Sequence, residues 1–237
     1  MTEVKFRDDI VVQPINISAN DKMVVAAARV STEGEKSLES LGGKEKLGLI
    51  NYLVKNHHGS PFEHNLFTFY VEAPIAVFRE WQRHRIGFSY NEQSGRYSEL
   101  PAEFYIPPRE RKLVQIGKTG HYEFTEGTDE QYALYRSNLR ESYKLAYELY
   151  EKNLSLGVAK EAARFNLPVG LYSRMYVSCN ARSIMNFLQL RTEVKDAMFV
   201  SKPMYEIAEA AAQVEEIFAA QMPATYKAFC DAKRVAP

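Results

Sequence analysis

The spacing of apolar residues changes several times along the chain, and each change marks an element. Asn20–Ser31 (NDKMVVAAARVS) opens on cap-forming residues and reads as a short helix. Lys44–Asn56 places Leu47, Ile50, Leu53 and Val54 at helical spacing, which predicts a second helix with one buried face. Gly59 and Pro61 in "HHGSPFEH" break that pattern. Leu66–Glu72 then alternates, with Phe67, Phe69 and Val71 on one face of a strand. Pro74 suits the first turn of a helix buried through Ile75, Val77, Phe78 and Trp81.

Beyond Trp81 the pattern gives way to a polar stretch. Phe104–Ile106 reads as a short strand, and Pro107 to Thr128 as an irregular surface excursion. Asp129–Leu156 is a long helix with Tyr132, Tyr135, Leu139, Tyr143, Ala146 and Tyr150 along one stripe, ended by Gly157. Val158–Asn166 is a short helix closed by Pro168. Leu171–Cys179 is a strand, with Leu171, Ser173, Met175, Val177 and Cys179 on one side. Asn180 is placed to cap a helix from Ala181 to about Arg191. Met204–Met222 is amphipathic through Ile207, Ala211, Val214 and Phe218, and Pro223 starts a final short helix. Helices outnumber strands, and the strands are too scattered for repeated βαβ units. The pattern predicts an α+β fold in a single domain, a central mainly antiparallel sheet flanked by helices with a long helical arm.

Composition narrows the function. Lys plus Arg equals Asp plus Glu at 30 each, so the chain lacks the net basic field of a general nucleic-acid or membrane-surface binder. The N-terminus has no apolar signal core and no run is long enough to span a bilayer, which points to a cytoplasmic protein. Two cysteines, Cys179 and Cys230, lie far apart without metal-type spacing and fit a reducing compartment. Fifteen tyrosines and thirteen phenylalanines suggest a thick core, a subunit interface or a ring-binding cleft.

Three polar stretches carry candidate chemistry. In "RHRIGFSYNEQSGRYS" (Arg83–Ser98), Arg83, His84 and Arg85 follow a helix, where cations offset its dipole. Ser94, Gly95 and Arg96 supply a hydroxyl, an approachable backbone and a guanidinium fork, the parts of a phosphate cradle. Glu92 can accept from ring or sugar donors. The same residues also suit a turn. In "CNARSIMNFLQLR" (Cys179–Arg191), Arg191 falls on the apolar side of the helix, three residues after Leu188. A charge there needs a partner, either an acidic side chain or a ligand. Arg164 is a further cation beside an apolar run. In "HHGSPFEH", His57, His58, Glu63 and His64 fit no usual zinc spacing. A tight turn presenting His58 and Ser60 to a ligand fits better, and no metal is expected.

Together these stretches resemble the flavin-dependent thymidylate synthases, also described as thymidylate synthase-complementing proteins. "RHRIGFSYNEQSGRYS" carries the Arg-His-Arg, spacer, Ser, Arg-Tyr pattern of that family. "AAARVS", "HHGSPFEHNLFTFYVEAPI" and "LYSRMYVSCNARSIMNFLQLR" are similar to the family at corresponding places, so the likeness spans residues 24 to 191. The resemblance implies a homotetramer with active sites shared between subunits. It would make dTMP from dUMP with methylenetetrahydrofolate as carbon donor and FAD, reduced by NADPH, as hydride carrier. His58, Ser60, Arg83, His84, Arg85, Glu92, Asn180, Arg182 and Asn186 would lie against FAD. Glu80, Arg83, Glu92, Gln93, Ser94, Gly95, Arg96 and Arg164 would hold dUMP, and Arg191 would face the uracil edge as the catalytic residue. The spacer Ile86–Gln93 is one residue longer than the usual family spacer, with the extra residue at Gly87–Phe88. Two rival classes are a cysteine-dependent thymidylate synthase, whose motif surrounds neither cysteine, and a non-catalytic nucleotide-binding module.

Overall fold

The computed structural model describes residues 2–42, 47–118 and 121–237. In chain order the elements are β1 (Lys5–Arg7), β2 (Val11–Ser18), α1 (Asp21–Glu33), α2 (Glu39–Gly42), α3 (Leu47–Lys55), β3 (Leu66–Pro74), α4 (Ile75–Trp81), β4 (Phe88–Glu92) and β5 (Glu103–Tyr105). Then follow β6 (Val114–Lys118), β7 (His121–Thr125), α5 (Asp129–Ser155), α6 (Lys160–Ala163), β8 (Tyr172–Asn180), α7 (Ala181–Arg191), α8 (Tyr205–Gln221) and α9 (Pro223–Asp231). The fold is α+β, and the chain divides into two compact units.

The first unit comprises Met1–Asp9, Glu72–Phe78 and Glu92–Arg174. Its strands β1 and β5 pair in parallel, with Lys5 opposite Glu103 and Arg7 opposite Tyr105. Arg7 is closed in by Glu72 at 2.7 Å, Asp9 at 2.9 Å and Glu103 at 3.1 Å, and Arg174 also pairs with Glu103. The Arg7 guanidinium holds the Asp9 carboxyl below its ordinary range. For Glu103, burial acts against ionisation but the Arg174 and Arg7 bonds outweigh it, and its carboxyl is also lowered.

The long helix α5 starts at a capping box: Thr128 accepts from the Gln131 N–H, and the Gln131 side chain accepts from the Thr128 N–H. Its buried face is Tyr132, Tyr143, Tyr147 and Tyr150, with Leu139 packed at the edge. Tyr135 is exposed instead, because eight residues before Tyr143 is about 80° round the helix. Phe104 stacks on Tyr143 at 4.7 Å, and the Tyr147 hydroxyl donates to the Leu100 carbonyl at 3.0 Å. The tyrosines thus fill the core and satisfy β5's approach at once.

Two expectations need correction here. The stretch 107–128 is not wholly irregular: β6 and β7 pair antiparallel, with Val114 opposite Thr125 and Ile116 opposite Glu123. The short helix at 158–166 is only one turn of α-helix, α6, followed by a tighter 3₁₀ turn at Arg164–Asn166.

The second unit comprises Ile10–Val71, Arg79–Asn91 and Met175–Pro237. It carries the central sheet, in the order β2-β3-β8-β4. On β3 and β8, Thr68 meets Ser178 at 3.0 Å and Tyr70 packs on Tyr176 at 5.8 Å. The index rises on one strand as it falls on the other, so this pair is antiparallel. Phe67 stacks on Phe69 and meets Phe218 of α8 edge-on, which ties sheet to helix. Helix α1 begins at the Asn20 cap, whose side chain accepts from the Met23 N–H at 2.8 Å. The predicted helix at 44–56 is described from Leu47 to Lys55; Lys44 to Lys46 lie outside the described residues. Asp21 is buried and accepts from the Ala224 and Thr225 N–H groups, capping α9.

Candidate active site

In the second unit, β8 delivers α7 directly: Asn180 ends the strand in extended geometry and its side chain accepts from the Ser183 N–H at 2.8 Å. The α7 N-terminus faces residues 83–88. Ser183 donates to the Ile86 carbonyl at 2.8 Å. Gly87 sits beside them at φ +70°, and a Cβ there would fall 2.2 Å from Ser183 Oγ and 2.7 Å from Asn180 Nδ2. A cavity of about 580 Å³ opens between these segments. Arg83, His84, Arg85, Asn180, Arg182 and Asn186 line it, together with Glu63, Ile86, Gly87, Phe88 and Ser183.

Arg182 crosses this wall in a fixed pose. Its Nη1 pairs with Glu63 at 2.7 Å, and a Cβ on Gly59 would come within 2.4 Å of its Nε. The donor set is cationic and carboxamide-rich beside the Phe88 ring and the exposed Ile86 side chain. That chemistry fits an anionic group joined to a flat ring system, and the two glycines make the close approaches that form the cradle. Glu63, Ser183 and Gly87 were not singled out for this role by sequence. Only Glu63 carried a signal, in "HHGSPFEH", and its spacing argued about metal rather than about an arginine.

A second cluster lies at the other end of α7. The Arg191 side chain is 16% exposed, and all three nitrogens are used. Nη1 pairs with Glu80 at 2.7 Å, Nη2 donates to the Glu80 carbonyl at 3.0 Å, and Nε donates to His84 Nε2 at 2.9 Å. Burial first, and the Arg191 charge second, push the His84 pKa down to about 4. The imidazole is therefore neutral, with its proton on Nδ1. Phe187 holds it edge-on at 5.0 Å and stacks on Trp81 at 4.9 Å. Of the two partners open to Arg191, the structure supplies the acidic side chain, Glu80.

The first unit gathers the remaining polar candidates. Ser94 Oγ accepts from the Arg96 N–H at 3.2 Å, and Arg96 pairs with Glu161 at 2.8 Å on an exposed surface. A Cβ on Gly95 would meet Leu100 at 2.9 Å and Arg164 Cδ at 3.2 Å, so the Arg164 stem lies directly against Gly95. Glu92 accepts from Ser173 at 2.8 Å. The Gln93 N–H donates to the Arg174 carbonyl at 2.8 Å, while Gln93 Oε1 is buried with no hydrogen-bond partner among the described residues.

His58 and Ser60 are exposed and do not line the 580 Å³ cavity; the His58 ring tilts against Tyr52 at 5.8 Å. Cys179 is buried at the end of β8, which pushes its thiol well above its ordinary range and leaves it a poor nucleophile. Among the described residues no helix is long and apolar enough to cross a membrane.

Comparison with known proteins finds relatives over nearly the whole chain. Residues 15–224 match the family model of the thymidylate synthase complementing protein. A flavin-dependent thymidylate synthase of Streptomyces coelicolor is 52% identical over 237 residues, 99% of this chain and 96% of that protein. One from Thermotoga neapolitana is 42% identical over 92% of this chain and 89% of its own. Among solved structures, the UMP/dUMP methylase PolB of Streptomyces cacaoi, bound with 5-Br UMP, superposes with a TM-score of 0.92 at 44% identity, covering 100% of both chains. The chain belongs to the thymidylate synthase complementing protein family.

Proposed function

We propose that this chain is a flavin-dependent thymidylate synthase that methylates dUMP reductively to dTMP. Methylenetetrahydrofolate gives the carbon, and bound FAD, reduced by NADPH, supplies the hydride. The enzyme works in the cytoplasm as a homotetramer with active sites shared between subunits, and residues 1–237 act as one functional domain. The observation that carries the reading is the cationic cavity of Arg83, His84, Arg85, Asn180, Arg182 and Asn186, in a chain matched to the family over residues 15–224.

In this reading those six residues hold FAD, with His58, Ser60 and Glu92 contributing from neighbouring subunits or from the same one. Ser94, Gly95, Arg96 and Arg164 take the dUMP phosphate, where a serine hydroxyl, a bare backbone and two guanidinium groups suit a dianion. Glu80, Arg83, Glu92 and Gln93 position sugar and base. Gln93 Oε1, buried and without a hydrogen-bond partner among the described residues, supplies an acceptor for a ring N–H. Arg191 faces the uracil edge. Its planar fork stabilises negative charge as N3 shares its proton, which raises electron density at carbon 5. Neutral His84 accepts from the Arg191 Nε–H and fixes the plane of the fork without adding a second positive charge.

The test is to purify the protein, saturate it with FAD, remove excess and record its visible spectrum, then assay dTMP from dUMP with methylenetetrahydrofolate and NADPH. Stoichiometric flavin absorbance and dTMP formation are expected. A colourless protein that forms no dTMP would overturn the reading.

A further inference from the structure

We infer that residues Arg234–Pro237 form a brace along α7 that fixes the Arg182 guanidinium in the cavity wall, with Arg234 and Gln189 as positioning residues. The inference rests on the reading of that cavity as the flavin site.

The brace is anchored at three points. Arg234 is buried and grips Glu215 of α8 with two nitrogens, at 2.6 and 2.9 Å. The same side chain donates to Thr192 Oγ1 at 2.9 Å, at the C-terminal cap of α7. The Ala236 N–H then donates to Gln189 Oε1 at 3.2 Å. Finally the Arg182 Nε–H donates to the Pro237 carbonyl at 2.7 Å, and Pro237 is buried. The contacts step from Thr192 to Gln189 to Arg182, so the segment runs back along the helix from its end to its first turn.

The backbone is bent to make this course. Lys233 and Arg234 both take the left-handed region, at φ 52° and 59°. Two such non-glycine residues in succession persist only where surrounding contacts hold them. The Glu215 pair and the hydrogen bond from the Met198 N–H to the Lys233 carbonyl at 2.9 Å supply those contacts. Lys233, Arg234, Ala236 and Pro237 lie outside the 15–224 match, whereas the residues they hold lie inside it.

The consequence falls on Arg182. Glu63 holds Nη1, the Pro237 carbonyl holds Nε, and Gly59 leaves room beneath. A long side chain pinned at two nitrogens presents its remaining donors in one direction, and so loses less freedom when an anion binds. Without the brace, Nε would be free and the guanidinium would swing on Glu63 alone.

The experiment uses the full chain, a variant lacking residues 235–237, Gln189→Ala, Arg182→Ala and the deletion combined with Arg182→Ala. The deletion leaves the Arg234–Glu215 pair in place, so the fold is retained. FAD affinity is read by quenching of flavin fluorescence, and hydrogen exchange of residues 181–189 is read without cofactor. We expect the deletion to weaken FAD about tenfold, the order of one charge-assisted hydrogen bond, with Gln189→Ala in the same direction. The deletion should add nothing in the Arg182→Ala background and should leave the KM for dUMP unchanged. Exchange of 181–189 should quicken in the deletion. Unaltered FAD affinity, or an equal loss with and without Arg182, would overturn the brace. If the full chain binds no FAD, the flavin reading fails on that result, and unchanged exchange at 181–189 would then overturn the brace by itself.

Discussion

The Nε–H of Arg191 donates to Nε2 of His84 at 2.9 Å, joining positions 107 apart in sequence. This bond is available only to a neutral imidazole. With a folded pKa of about 4 against an ordinary value of ~6.5, the unfolded chain takes up a proton that the folded chain refuses. The stability that His84 contributes is therefore fully present above ~6.5 and is lost as pH falls towards about 4. His84→Gln keeps an acceptor for Arg191 but does not titrate. Melting temperatures of both proteins from pH 7.5 to 4.5, roughly the span between the two values, should show the advantage of wild type shrinking as pH falls. A constant difference would show that folding leaves the His84 pKa at its ordinary value.

Arg191→Ala should lower turnover at saturating dUMP by roughly 10²-fold, the usual cost of removing one preorganised donor. FAD should still bind. Arg191→Lys should recover little, because an ammonium cannot make the three bonds that Glu80 and His84 now receive. Steady-state dTMP formation with flavin occupancy checked by absorbance decides it. Near-normal turnover in Arg191→Ala would reduce the residue to a structural ion-pair member.

Arg96→Ala should behave differently. Its fork is exposed and, among the described residues, forms an ion pair with Glu161 at the surface, where a phosphate could compete for it. A phosphate contact is made in ground and transition states alike, and its loss should raise the KM for dUMP with turnover nearly intact. A fall in turnover at unchanged KM would place Arg96 elsewhere.

Cys179→Ala should leave turnover within about twofold of wild type, since a thiol buried this deeply is not a nucleophile. Stability should drop by about 1 kcal/mol for the lost apolar volume. A loss of activity by orders of magnitude with the fold intact would favour covalent attack by that thiolate.

Gly87→Ala and Gly157→Ala separate backbone from space. Both glycines have positive φ, +70° and +80°, but a Cβ on Gly157 meets nothing within 4 Å. Gly157→Ala should cost only the left-handed penalty of about 1–2 kcal/mol. Gly87→Ala must also displace Ser183 and Asn180, adding about 1–3 kcal/mol, and it should weaken FAD. Equal melting temperatures and equal flavin affinities for the two variants would remove Gly87 from the cavity's architecture.

What could be read from sequence follows the strength of the local signal. The Asn180 cap, the alternation of β8 and the face of α8 were legible because burial there obeys one period. Arg191 was legible as a misplaced charge, but not its grip on Glu80 and His84, which depends on packing between α4 and α7. Strand β2 was missed since Pro14 interrupts it and most of its side chains are exposed, as an edge strand allows. In strand β4 Phe88 and Tyr90 alternate with Ser89 and Asn91, but the run is short and is embedded in the polar residues of the Arg83–Ser98 motif. In β6 and β7 the pairs Val114/Ile116 and Tyr122/Phe124 do alternate, but the surrounding Pro, Gly and basic residues concealed them.

The parallel pairing of β1 with β5 has a consequence for the order of events during synthesis. Lys5 and Glu103 are 98 residues apart, so β1 leaves the ribosome long before its partner exists. Asp9 waits longer still, because the hydroxyl that bonds its carbonyl belongs to Tyr172. Closing loops of that length costs entropy before any contact rewards it. The N-terminal strand must therefore join a nucleus already built by α5 and β5, late in folding. Substitutions within Lys5–Arg7 should then act mainly on the rate of unfolding and leave the rate of folding nearly untouched.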